Sequence, residues 1–253
     1  MTTVDELGTL HDFWEASGLS SARAAAFASA VAAYEPAPAG VERFAGPAPE
    51  VPLRPVHDRF AGLLASRRSG RELVGEPLHH RDIERVLATV GPTPDGRRMI
   101  AEAGGLDLVH VFAVARRVAG PLGGRLVRYD HRRHAVADVG PVPDDDELRR
   151  LFSIPDDQPL AALVVVFVVD LDAVTRKYGP RGGRFAMQQV GLATANVGLR
   201  LAHDGLPGYV LGGGLDDDVL GWLGLGHTGA RYGGAVACGG RAGRAGRWGR
   251  RRG

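Results

Sequence analysis

Two stretches of this chain carry side chains whose types and spacing could do chemistry. The first is Lys177-Tyr178, within Arg176-Lys177-Tyr178-Gly179-Pro180-Arg181. Lys177 is the only lysine; the other 30 of the 31 basic residues are arginine. A lysine amine can shed its proton and act as a base, whereas a guanidinium stays charged. The Tyr178 phenol both donates and accepts hydrogen bonds, so the two are a candidate acid–base pair. On composition alone, a surface lysine left over in an arginine-rich chain is the plainer reading. The second stretch is Ser66-Arg67-Arg68-Ser69-Gly70-Arg71. Three guanidiniums and two hydroxyls beside a glycine, at the end of a helix, suit a phosphate-sized anion; taken alone, a solvated basic turn explains them more simply. Gly212-Gly213-Gly214, between a strand and a helix start, offers bare backbone N–H groups to an anion, with a tight structural turn as the default.

Composition narrows the setting. At 253 residues the chain is long enough for one sizeable core with an appendage. Its net charge of +2 gives no global reason to expect nucleic acid. Cys238 is alone, so neither an internal disulfide framework nor a cysteine zinc cluster is available, and no metal is expected. The apolar run from Leu160 to Val169 falls short of the ~20 residues a membrane helix needs. Asp5, Glu6, His11 and Asp12 interrupt the N-terminal apolar residues, unlike a signal peptide. A cytoplasmic protein without a membrane partner is expected.

The elements that must position these groups follow from periodicity. Residues 1–36 read as helical, and the prolines at 36, 38, 47, 49, 52 and 55 then make a linker over 35–55. Residues 57–65 form a helix with Phe60, Leu63 and Leu64 on one side; 82–90 form another with Ile83, Val86 and Leu87 inward. Residues 106–115 are a strand, 124–129 and 134–139 a hairpin, and 144–152 a helix. The valine content of 160–170 predicts a strand buried on both faces. Residues 185–205 form the long central helix, followed by a strand at 209–211, a helix at 216–223 and a last strand at 230–238. This alternation, without a doubly wound repeat, predicts an α+β fold. Arg241, Arg244, Arg247, Arg250, Arg251 and Arg252 make a flexible basic tail.

The order of these pieces is more specific than any one of them. Arg67-Arg68-Ser69-Gly70-Arg71, then Gly124-Arg125-Leu126-Val127-Arg128-Tyr129-Asp130 with His134, then Lys177-Tyr178-Gly179-Pro180-Arg181, and last Gly213-Gly214-Leu215-Asp216-Asp217 with Leu223-Gly224-Leu225 succeed one another. This resembles the SagB/ThcOx-type dehydrogenases of the nitroreductase superfamily, over roughly residues 57–240. The resemblance implies a nitroreductase-like domain over 56–240, with a central mixed or antiparallel sheet flanked by helices. Residues 1–55 and the tail at 241–253 lie outside it. It implies FMN bound at the interface of a homodimer, and oxidation of thiazoline or oxazoline rings in a ribosomally made peptide, beside a cyclodehydratase partner. On this basis Arg67, Arg68, Ser69 and Arg71 hold the FMN phosphate and ribityl chain, Gly104, Gly213 and Gly214 line the cofactor, and Lys177 and Tyr178 are catalytic. The family loop that packs along the flavin carries Glu102 and Asp107 here, two carboxylates expected to oppose an anionic reduced flavin. That departure keeps a non-catalytic complex subunit open as an alternative, alongside a general NAD(P)H-dependent nitroreductase.

Overall fold

The strand Leu163–Asp170 is the centre of the molecule, and all but its last residue are buried. In the computed structural model, which describes residues 4–33 and 52–240, it is β4 of a six-stranded sheet. The other strands are β1 (Val109–Ala115), β2 (Arg125–Asp130), β3 (Ala135–Pro141), β5 (Gly208–Leu211) and β6 (Ala230–Cys238), in the order β3-β2-β1-β4-β6-β5. Each neighbouring pair is antiparallel.

Alternation along β4 explains its valines. Leu163, Val165, Phe167 and Val169 enter one apolar cluster, and Val164, Val166 and Val168 enter the other, so both faces need β-branched or aromatic fill. On the first face lie α4 (His80–Ala88), α6 (Leu171–Tyr178) and α7 (Gly182–Asp204); on the second lie α5 (Asp145–Phe152) and α8 (Asp216–Trp222). The result is an antiparallel sheet between two helical layers, the expected α+β class.

Chain ends attach to this body in two ways. The helices α1 (Val4–Ser17) and α2 (Ser21–Ala32) form a hairpin whose corner clasps the start of α8. There the Leu19 N–H donates to the Asp216 carboxylate at 3.0 Å, and the Asp216 N–H donates to the Leu19 carbonyl at 3.0 Å. Trp14 is buried beneath α1, and Leu10 packs on Gly183. The short helix α3 (Arg59–Ser66) rests against α7. Its apolar side is not covered as the periodicity predicts: Phe60 is 63% exposed and Leu64 48%. Most of the proline-rich linker and the whole basic tail lie outside the described residues. Among the described residues, no helix is long and apolar enough to cross a membrane.

Candidate active site

Lys177 and Tyr178 close the last turn of α6, an element the periodicity did not separate from the following turn. Asp170 caps its start, accepting from the Ala173 N–H at 2.8 Å, and Gly179 ends it with φ 58°. The lysine Nζ donates to the Gly104 carbonyl at 2.8 Å. The Tyr178 ring meets Phe185 edge-on at 5.0 Å between centroids. Gly104 itself has φ 57° and ψ 33°, and a Cβ there would collide with the Tyr178 hydroxyl and the lysine Nζ. Only glycine satisfies both the left-handed backbone and the close approach. So Gly104, Lys177 and Tyr178, from segments 73 residues apart in sequence, form one constellation.

The arginine stretch lies elsewhere. Arg67 ends α3, the Gly70 N–H donates to the Gly208 carbonyl at 2.9 Å, and Arg71 stacks over Tyr209 at 5.4 Å. The Arg67 side chain runs past Gly198 of α7. Arg67, Arg68, Ser69 and Arg71 are all exposed, and no carboxylate among the described residues pairs with any of the guanidiniums. Tyr178 meets α7 at Phe185 and Arg67 meets it at Gly198, thirteen helical residues or roughly 20 Å apart along the axis. Gly213 and Gly214 form a third group. A Cβ at Gly213 would meet the Phe152 carbonyl and Ser153, and one at Gly214 would meet the Tyr232 hydroxyl, so packing inside the protein already accounts for both glycines.

The residue that periodicity missed is Arg98. It sits in what reads as a polar loop, yet is only 8% exposed. Its guanidinium donates to Asp107 at 2.9 Å, to the Val109 carbonyl at 3.0 Å and to the Val90 carbonyl at 3.3 Å, and Glu102 lies 3.9 Å away. Burial pulls this guanidinium below its ordinary value, and Asp107 and Glu102 oppose the shift. Burial likewise raises Glu102, against the pull of Arg98. Arg98 therefore offsets part of the negative charge that Glu102 and Asp107 bring, and Arg132 lies 3.7 Å from Asp107. Glu102, Asp107 and His131 have ligand atoms within 4.8 Å of one another, but the same guanidinium supplies the positive charge a metal would bring. His131 is shifted down, first by burial and then by Arg98. Next to it the Tyr129 hydroxyl pairs with His134 Nδ1 at 2.6 Å, and burial pushes that phenol up to about 12. This network braces the loop bearing Gly104. Asp107→Asn should accordingly lower stability by about 2 kcal/mol, less than the 3–5 of a fully buried pair because Asp107 is partly exposed. Glu102→Gln, at the longer distance, should cost less than half as much. Urea unfolding of the two variants checks the ranking.

The family model described as "Nitroreductase family" matches residues 64–240, more than two thirds of the chain. The chain belongs to the nitroreductase family. Members of this family are oxidoreductases that generally bind a flavin. A Methanocaldococcus jannaschii protein named for the same family, MJ1384, is 27% identical over 168 residues, covering 64% of this chain and 82% of its own. Among solved structures, a chain of the Escherichia coli microcin synthetase McbBCD complex, with truncated pro-MccB17 bound, is similar with TM-score 0.67 and 20% identity over 94% of both chains. A Ralstonia eutropha structure named as a nitroreductase gives TM-score 0.61 and 20% identity over 77% of this chain and 89% of its own.

Within this nitroreductase-family fold, the donor set at 67–71 fits a phosphate-bearing cofactor: three exposed guanidiniums without a carboxylate partner, and a hydroxyl, within five residues. The site residues expected from sequence thus lie in three places: the exposed arginine stretch at 67–71, the corner of Gly104, Lys177 and Tyr178, and the packed Gly213-Gly214 turn.

Proposed function

We propose that this chain is an FMN-dependent dehydrogenase that oxidises thiazoline or oxazoline rings to thiazole or oxazole in a ribosomally made peptide, acting as a homodimer. The observation that carries the reading is the lysine amine anchored on the Gly104 carbonyl with the Tyr178 phenol beside it. A neutral amine that donates one N–H to that carbonyl keeps its lone pair for a substrate C–H. Losing two hydrogens from an azoline ring needs a proton acceptor and a hydride acceptor; bound FMN would supply the second. Lys177 Nζ takes the ring proton, and Tyr178 offers its hydroxyl to the ring as that proton leaves. Arg67, Arg68, Ser69 and Arg71 would hold the phosphate and ribityl chain.

Two observations support the quaternary and substrate parts of this reading. In the proposed dimer the arginine half of one protomer would face the lysine half of the other. Exposed apolar groups along α3 and α7 suit that contact: Phe60, Leu64, Met187 at 45% and Leu192 at 43%. The likeness to the McbBCD chain covers 94% of this chain, whereas the Ralstonia likeness covers 77%. That difference favours a peptide-modifying complex, with a cyclodehydratase partner, over a general nitroreductase. MJ1384 supports the general reading, which NAD(P)H oxidation with a nitroaromatic acceptor would detect. Arg98 offsets part of the charge of Glu102 and Asp107, which supports a flavin-binding enzyme over the alternative of a non-catalytic complex subunit.

The purified protein should absorb near ~450 nm and convert an azoline peptide with loss of ~2 Da per ring. A colourless protein that neither binds added FMN nor oxidises the peptide would overturn the proposal. Within it, Arg67→Ala should weaken FMN at least ~tenfold by loss of a charge-assisted contact, read by flavin retention on dialysis.

A further inference from the structure

Residues 176–184 carry four cations, Arg176, Lys177, Arg181 and Arg184, and no carboxylate. All four are exposed. Among the described residues, none of the three arginines makes an ion pair or a hydrogen bond. Several other arginines on this surface do pair: Arg85 with Asp204, Arg97 with Asp95, Arg116 with Asp145, Arg125 with Asp138 and Arg150 with Glu147, whereas, among the described residues, Arg67, Arg68, Arg71 and Arg81 do not.

Four of the acids around this corner are committed to other tasks. Asp170 caps α6, Glu102 and Asp107 sit with Arg98, and the Asp172 carboxylate packs on Gly229. Helix polarity does not call for these charges either. Cations are favoured at the end of α6, where Arg176 lies, but Arg181 and Arg184 stand at the start of α7, where the dipole opposes them. Arg176, Arg181 and Arg184 thus put exposed positive charge on the segments that lead into and out of the Lys177 turn.

We propose that this patch selects the substrate: Arg176, Arg181 and Arg184 receive aspartate or glutamate side chains flanking the ring to be oxidised. At ~3.3 Å per extended residue, carboxylates two or three positions from the ring reach the arginines when the ring sits at Lys177. The inference rests on the peptide reading above and adds the chemical class of peptide, one with acidic flanks.

The test uses the full-length, flavin-loaded protein and two fluorescein-labelled thiazoline peptides that differ only in carrying Glu or Gln at three flanking positions. Fluorescence anisotropy reads binding whether or not the ring is oxidised. The Glu peptide should bind about tenfold more tightly at 50 mM NaCl, and the preference should shrink towards unity at 500 mM, as screening removes exposed charge contacts. Arg181→Gln/Arg184→Gln should abolish the preference, bringing the affinity for the Glu peptide down to that for the Gln peptide. Arg81→Gln, an exposed arginine on α4, should leave the preference intact. Equal affinity for both peptides in the unaltered protein overturns the proposal, as does a preference that survives in the double variant. If tight binding of the Glu peptide comes without oxidation of either peptide, the dehydrogenase reading fails and the acidic-peptide surface stands.

Discussion

Lys177→Arg should leave flavin content unchanged and cut azoline oxidation by ~10²–10⁴-fold, the contribution of a positioned general base. The substitution retains charge, length and a donor for the Gly104 carbonyl, so the corner that Lys177 shares with Tyr178 should keep its shape. What it removes is the ability to accept a proton, because a guanidinium does not release its own. The paired measurements are the absorbance of the purified variant and single-turnover oxidation of an azoline peptide. Near-full oxidation by the flavin-loaded variant would reduce the lysine to a surface charge.

The second large effect is the rescue of activity by mixing two dead proteins. Arg67→Ala/Arg68→Ala impairs the phosphate half, and Lys177→Arg impairs the acid–base half. If each site draws these halves from different protomers, a mixed dimer contains one site with both halves intact. Random exchange of subunits makes half the dimers mixed, and activity should return to about a quarter of the unaltered level. Co-expression with two affinity tags isolates the mixed species directly. Were both halves to come from one protomer, every site in the mixed dimer would be impaired and no activity would return.

What the chain discloses in advance depends on how local the cause is. The two-faced burial of β4 was legible because an unbroken valine run has few other places to go. The inward face of α4, with Ile83, Val86 and Leu87, was legible from spacing alone. α6 was not. It has eight residues, ends at Gly179-Pro180, and owes its helical form to the Asp170 cap and to packing of Leu171 and Val174 into the core. Arg98 was hidden for a related reason: a polar loop predicts solvent. Only the carbonyls of Val90 and Val109 together with Asp107, gathered from three segments, make burial of a guanidinium tolerable. α3 shows the converse. Its apolar spacing is real, but nothing within the described protomer covers Phe60 or Leu64. The grouping of Gly104 with Lys177 and Tyr178 could come only from the folded chain, since the signal is a left-handed glycine whose missing Cβ makes room for both side chains.

That same corner turns the chain's amine chemistry into a reporter. With one lysine in 253 residues, an acylating or reductively alkylating reagent has a single side-chain target besides the α-amino group, and that target is exposed. Its rate of labelling, followed by intact mass, would therefore read the local reactivity of the candidate base without isotopes or substitutions. Shielding by added flavin or by a peptide would map onto Lys177 alone, giving an occupancy assay that needs no turnover.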